Sequence, residues 1–110
     1  MNSKLLIIIA TGNKEKALAG LMYARNAMKR GWMEDVKVVF FGPSERLIIQ
    51  DAQVLTEVQD ITESEEPLAC KAISDREGIS EDLKKFGVKV EYVGSIISDL
   101  IKDGYLPMVW

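Results

Sequence analysis

Cys70 is the residue of this sequence with the clearest capacity for covalent chemistry. It is the only cysteine among the 110 residues, and two cations, Lys71 and Arg76, follow it closely. A thiol reacts as its thiolate, which a nearby cation or the N-terminus of a helix stabilises. Ser74 could begin such a helical turn. A free cysteine is also a common small core residue, so the residue types leave a reactive and a purely packed Cys70 both open.

The sequence contains no histidine, which limits the mechanisms that Cys70 could use. Ser-His-Asp and Cys-His hydrolysis need an imidazole base, and the common zinc sites need histidine ligands. Proton transfer would therefore fall to carboxylates, lysines, tyrosines or the thiol itself. A single cysteine also excludes an internal disulfide within the chain and is typical of a reducing compartment.

A second candidate site lies after the first apolar run, at Thr11, Gly12 and Asn13. Small residues before a helix let backbone amides approach an anion, and these three residues resemble the Thr-Gly-Asn of flavodoxin phosphate loops. Neither a Gly-x-Gly-x-x-Gly motif nor a Walker motif is present in the sequence. The same residues also form an ordinary tight turn between a strand and a helix. A phosphate site and a simple turn both stay open.

The length and charge of the chain are those of an ordinary small protein. We expect one domain over residues 1–110, which is long enough to bury a core. A net charge of −3 supplies no basic field, so we expect no nucleic-acid partner. The apolar run at 5–10 is too short for a signal-peptide core or a membrane span. We therefore expect a cytoplasmic protein with no membrane insertion.

The hydrophobic pattern predicts five strands that alternate with four helical segments. The predicted strands are 4–10, 36–41, 68–73, 88–93 and 105–110. The predicted helical segments are 14–30, 45–63, 80–86 and 96–102, although 47–49 also fits a strand or a turn. Asn13, Ser44 and Ser80 are the expected N-caps, and Pro107 places the last strand at an edge. Such alternation specifies a parallel sheet with helices on both faces.

Ligands of parallel sheets bind at the carboxyl ends of the strands. Three loops are therefore expected to form the site: the turn at 11–13, the loop that begins at Gly42, and the stretch around and after Cys70.

Several segments, taken in order, resemble the DsrE/DsrF-like family of small sulfur-relay proteins. The matching features are the strand at 4–10 with its long helix, the segment 38–43, Cys70 after Leu68-Ala69, the segment 76–79, the segment 88–94 and the segment 103–105. The resemblance implies a three-layer α/β/α sandwich with a five-stranded, mainly parallel sheet that assembles as trimers or hexamers. It also implies that the cysteine after the third strand accepts sulfane sulfur as a persulfide.

The leading hypothesis is therefore a sulfur carrier or sulfurtransferase that acts through a Cys70 persulfide. Its substrate-binding or thiolate-stabilising residues would be Thr11, Gly12, Asn13, Gly42, Lys71 and Arg76. It needs no cofactor and no metal. With no second cysteine in the chain, the acceptor would be another protein or a small thiol. The alternatives are a flavin- or nucleotide-binding module and a non-catalytic subunit of a larger complex. An apolar edge strand favours a homo-oligomer.

Overall fold

A computed structural model of the chain describes residues 3–110, which form a five-stranded sheet and six helices. The strands are β1 (Lys4–Ile9), β2 (Asp35–Phe40), β3 (Leu68–Cys70), β4 (Lys89–Glu91) and β5 (Leu106–Val109). The helices are α1 (Lys14–Lys29), α2 (Ser44–Gln50), α3 (Ala52–Thr62), α4 (Lys71–Glu77), α5 (Ser80–Lys85) and α6 (Val93–Lys102). The predicted α/β class is confirmed. All the strand pairs are parallel, where a mainly parallel sheet was expected.

The strands lie in the order β4-β3-β2-β1-β5. The chain moves outward from β1 through β2 and β3 to β4, and then returns past β1 to form β5 at the opposite edge. Right-handed crossovers in this order put α1, α2, α3 and α5 on one face and α6 on the other, and Ile73 of α4 packs on the side of α6. The predicted edge position of the last strand is confirmed.

Two apolar clusters cover the two faces of the sheet. The larger one packs α1, α2, α3 and α5 against alternate residues of β1, among them Ile7 and Ile9. The smaller one, which we call the α6-face cluster, contains Leu6, Ile8, Val39, Cys70, Val93 and Tyr105. β1 is thus buried on both faces, as its continuous apolar run predicts.

α1 begins and ends where the sequence predicts. The side chain of Asn13 accepts a hydrogen bond of 2.9 Å from the backbone amide of Lys16, which satisfies a free donor of the first turn. After the last turn Gly31 adopts a φ of 65°, a left-handed conformation that favours glycine. Within residues 3–110 no helix is both long enough and apolar enough to cross a membrane.

The predicted helical segment 45–63 is two helices, because the chain leaves the helical conformation at Asp51. The Asp51 carboxylate accepts hydrogen bonds of 3.0 Å from the amides of Gln53 and Val54, and so caps α3. The bond from Val54, followed by the interaction with Lys14, lowers the pKa of the Asp51 carboxyl. The alternative of a strand at 47–49 is wrong.

Two of the predicted N-caps are wrong by one position. Ser44 is the first residue of α2, and its hydroxyl donates to the carbonyl oxygen of Ile9 at 2.5 Å rather than capping its own helix. Ser80 is likewise the first residue of α5, and its hydroxyl lies 2.6 Å from that of Ser74. In both cases the serine hydroxyl bonds to a group outside its own helix and not to a backbone amide of that helix's first turn. The last helix also begins earlier than predicted, at Val93.

Candidate functional site

Cys70 is the last residue of β3 and the N-cap residue of α4. Its side chain is 6% exposed and belongs to the α6-face cluster. The prediction that the strand continues to residue 73 is wrong, because the chain becomes helical at Lys71. Ile73 still packs on the α6-face cluster, but from a helix. The three-residue strand passes directly into a helix, and hydrophobic periodicity cannot divide so short a segment.

Lys71 is engaged with its own helix. Its ammonium lies 2.5 Å from a carboxylate oxygen of Asp75 and 5.7 Å from the centre of the Tyr92 ring. The hydrogen bond to Asp75 raises the pKa of the Lys71 ammonium, and the same bond lowers the pKa of the Asp75 carboxyl. The charge of Lys71 is therefore paired with the charge of Asp75.

The buried carboxyl of Glu45 is the feature of this edge that the sequence reasoning missed. Glu45 lies in the first turn of α2 with no exposed surface. One carboxylate oxygen, Oε2, is 3.4 Å from the amide nitrogen of Gly42, and the other, Oε1, has no hydrogen-bond partner among the described residues. Burial is the largest influence on the group and raises the pKa of the Glu45 carboxyl to about 7.

Two groups from the Cys70 segment act on Glu45. After Gly42, the backbone amide of Cys70 and then the positive charge of Arg76 lower the pKa of the Glu45 carboxyl, against the dominant effect of burial. The charge of Arg76, one of the predicted cations, therefore acts on the Glu45 carboxyl. A glutamate in the first turn of a helix is usually a surface residue. Only its position just after the end of a strand could have indicated from the sequence that Glu45 lies at the candidate site.

The turn at Thr11, Gly12 and Asn13 uses several of its amides within the protein. The amide of Thr11 donates to the carbonyl oxygen of Trp110 at 3.1 Å. The amide of Asn13 donates to the Thr11 hydroxyl oxygen at 3.0 Å. These bonds are those of a tight turn between a strand and a helix, which was the second of the two interpretations of these residues.

The loops after β1 and β2 are in contact. A Cβ atom placed on Gly12 would lie 3.0 Å from the Cβ of Pro43, so only a glycine-sized residue fits without displacement. The amide of Ser44 donates to the carbonyl oxygen of Ala10 at 3.3 Å. The structure therefore brings together two of the three expected loops, those after β1 and β2.

Residues 3–110 contain no group of three or more candidate metal ligands of the types His, Cys, Asp and Glu. Cys70 ends β3 at the carboxyl edge of the sheet, and Glu45, a buried carboxyl, lies in the first turn of the helix that follows β2. The chain is thus a small α/β protein whose one cysteine lies where an inner parallel strand meets a helix.

Comparison with solved structures supports the α/β fold. The chain is similar to a conserved protein of unknown function from Bacteroides thetaiotaomicron, with a TM-score of 0.90 and 27% identity over 98% of this chain and 95% of that one. It also shares its fold with a protein of unknown function from Methanobacterium thermoautotrophicum, with a TM-score of 0.75 and 19% identity over 99% of this chain and 100% of that one. No model of a protein family matches the sequence, and no curated protein matches it either.

Proposed function

We propose that the protein carries sulfane sulfur as a persulfide on Cys70 and passes it to a partner thiol. The resemblance to DsrE/DsrF-like proteins suggests this chemistry. The observation that carries the proposal is the position of Cys70, the sole cysteine, at the carboxyl end of an inner strand. Ligands of parallel sheets bind at that edge.

The proposed reaction is thiol exchange in two steps. In loading, the Cys70 thiolate attacks the outer sulfur of a donor persulfide, R–S–SH. A new S–S bond forms on Cys70, the donor S–S bond breaks, and its electron pair leaves with the donor thiolate R–S⁻. In unloading, an acceptor thiolate attacks the outer sulfur of the Cys70 persulfide, and the Cys70 thiolate leaves. The transferred sulfur keeps its oxidation state, so neither step needs an oxidant or a reductant.

The surroundings of Cys70 suit a carrier better than an open catalytic thiol. With 6% of its surface exposed and an apolar cluster around it, the side chain is largely shielded from bulk water but keeps a small accessible surface. A persulfide adds about 2 Å to its reach, the length of one S–S bond. Because residues 1–110 contain no second cysteine, the acceptor is a thiol on another molecule. A cytoplasmic, reducing setting is part of the proposal.

Mass spectrometry of the intact protein tests the proposal. The chain is incubated with thiosulfate, with polysulfide, or with a cysteine desulfurase and cysteine. We expect the wild type to gain the mass of one or more sulfur atoms and to lose it to added dithiothreitol. The Cys70→Ser variant is the matched control and should gain none. Uptake by Cys70→Ser, or no uptake by the wild type from any donor, contradicts the proposal.

The burial of Cys70 also favours a competing proposal, in which the protein is a non-catalytic subunit and the thiol is only packed. Alkylation by iodoacetamide separates the two. A functional site should react in the native state at neutral pH within minutes, while a packed thiol should react only in urea. A flavin or nucleotide site at residues 11–13 stays a prediction, which a colourless preparation with no thermal shift on adding FMN or nucleotides would contradict.

We further propose that the protein assembles with copies of itself. β5 is an edge strand, and its Leu106 and Val109 side chains are 62% and 67% exposed. Exposed apolar edge strands invite pairing with another chain, and the resemblance suggests trimers or hexamers. Sedimentation should show an oligomer that Val109→Lys shifts towards the monomer, while Ser98→Lys, on α6, leaves it intact. A wild-type monomer at every concentration contradicts this proposal.

A further inference from the structure

The sheet has two free edges, β4 and β5, and they differ in how they are protected. β4 is three residues long and carries the ion pair between Lys89 and Glu91. A short, charged edge strand is a poor template for a strand of another chain, and a proline or a covering element protects an edge in the same way. The four residues of β5 carry no charge, and Leu106 and Val109 are well exposed. Of these devices, β5 itself has only Pro107.

The hydrogen bonds of Trp110, just after β5, determine which backbone groups of the strand face β1. The amide of Trp110 donates to the carbonyl oxygen of Ile8 at 2.8 Å, and the amide of Ala10 donates to the carbonyl oxygen of Trp110 at 2.8 Å. In a strand, the N–H and C=O groups of one residue point to the same side, and successive residues alternate between the two sides. Every second residue back from Trp110 therefore faces β1, whereas Val109 and Pro107 face the free edge.

Pro107 removes a hydrogen-bond donor from the free edge of β5. Proline has no backbone N–H group, and its ring occupies the space beside the nitrogen that an incoming carbonyl oxygen would take. Between residues 106 and 109, the free edge therefore offers one N–H group, that of Val109. One position earlier or later, the same proline would have interrupted the pairing with β1 instead. The register of β5 thus directs the missing donor outward.

We infer that Pro107 closes the β5 edge to strand addition, so that a partner of this edge contacts its side chains and not its backbone. Strand addition, a common way to bind an extended segment, is thereby excluded for a second copy of the chain. The Leu106 and Val109 side chains stay accessible on opposite faces of the sheet, beside Leu5 and Ile8 respectively. Copies that associate here, as proposed above, therefore do so without forming a continuous sheet.

Amide hydrogen exchange of the full wild-type chain, followed by NMR, tests the closed edge without a variant. The Val109 amide should exchange within about tenfold of its rate in an unfolded chain, at low and at high protein concentration. The Met108 amide, which faces β1, should exchange at least about a hundredfold more slowly than that of Val109. A Val109 amide that becomes as protected as that of Met108 when the protein associates would reveal a strand paired at this edge, and overturns the inference.

Pro107→Val provides the second measurement, because it restores the missing N–H group with a residue that favours strands. At concentrations at which the wild type keeps a constant size, this variant should form larger assemblies that scatter light and bind thioflavin T. Pro107→Lys is the matched control. It also restores the N–H group, but it adds a charge, which protects an edge in another way. This variant should keep the size of the wild type.

Two outcomes of this comparison count against a closed edge. A folded Pro107→Val variant that keeps the wild-type size overturns the inference. Equal assembly of Pro107→Val and Pro107→Lys would trace the effect to a damaged fold and not to an opened edge, and it also contradicts the inference. Failure of the proposed self-association looks different: sedimentation would show a wild-type monomer at every concentration, while Pro107→Val still forms large assemblies and Pro107→Lys does not.

Discussion

Gly42 lies against the carbonyl oxygen of Ala10, where the loop after β2 meets the end of β1. A Cβ atom on Gly42 would stand 2.8 Å from that oxygen, and the residue has a φ of 136°. Both observations restrict the position to glycine. This close approach allows the Ser44 amide to reach the same oxygen and brings Glu45 into its buried position.

Gly42→Ala should therefore destabilise the protein by about 2 kcal/mol or more, since it combines a clash with a strained backbone. Urea unfolding measures the change. Gly94→Ala is the matched control, because Gly94 lies in α6 with open space around its Cα. That change should be neutral or stabilise by up to about 1 kcal/mol. Similar losses for both variants would contradict the special role of Gly42.

The stability of the wild type should fall as the pH rises from about 4.5 to about 7, because folding raises the pKa of the Glu45 carboxyl to about 7. Over that window the folded state binds more protons than the unfolded state, so a higher pH favours unfolding. The contribution of this group is about 3 kcal/mol, and it is fully lost above the folded pKa.

Glu45→Gln should remove this pH dependence, because the amide resembles the protonated acid at every pH. At pH 8 the variant should be at least as stable as the wild type in urea unfolding. Glu63→Gln should follow the wild-type curve throughout. A Glu45→Gln curve parallel to that of the wild type between pH 4.5 and 7 would show that Glu45 is ionised normally.

Tyr105 joins the start of β5 to the start of β2. Its hydroxyl donates a short hydrogen bond to the Asp35 carboxylate, and this bond raises the pKa of the Tyr105 hydroxyl to about 12. Tyr105→Phe should cost about 1–2 kcal/mol of stability at neutral pH. Tyr92→Phe, with a ring that is 64% exposed, should cost little. The contribution of Tyr105 should be lost as the pH rises from 10 towards 12.

Gly20 is a close contact between α1 and the sheet. A Cβ atom there would lie 2.6 Å from Cδ1 of Ile9 and 2.7 Å from Cγ of Trp110. Gly20→Ala should gain about 1 kcal/mol of helix propensity and lose about 1–3 kcal/mol to overpacking. We expect a net loss, measured by thermal unfolding. An increase in melting temperature would mean that the Trp110 ring moves aside without cost.

Local chemistry made the first half of the fold predictable. The apolar run of β1 and the capping side chain of Asn13 each determine one short stretch of backbone without help from distant residues. The strand order could not be predicted from the sequence, because it depends on how the helices between the strands pack on the sheet. The end of β3 was misplaced because the chain changes from strand to helix between Cys70 and Lys71 with no glycine or proline to mark the change.

The candidate site was predictable only in part. Parallel-sheet topology placed Cys70 and the loop at Gly42 at one edge. The partners of individual side chains were not predictable. Lys71 forms an ion pair with Asp75 of its own helix. Glu45 becomes buried only because the loop before it folds against β1.

The position of β5 has a consequence for folding. Leu5 of β1 pairs with Leu106 of β5, so two neighbouring strands of the sheet come from opposite ends of the described residues. Closing so long a loop is slow and offers no stabilisation until both strands are in place. During synthesis, one edge of β1 therefore stays unpaired until β5 has been made, although β2, β3 and β4 have already been made. The nascent chain is most vulnerable to wrong pairing at the strand that later becomes one of its most deeply buried.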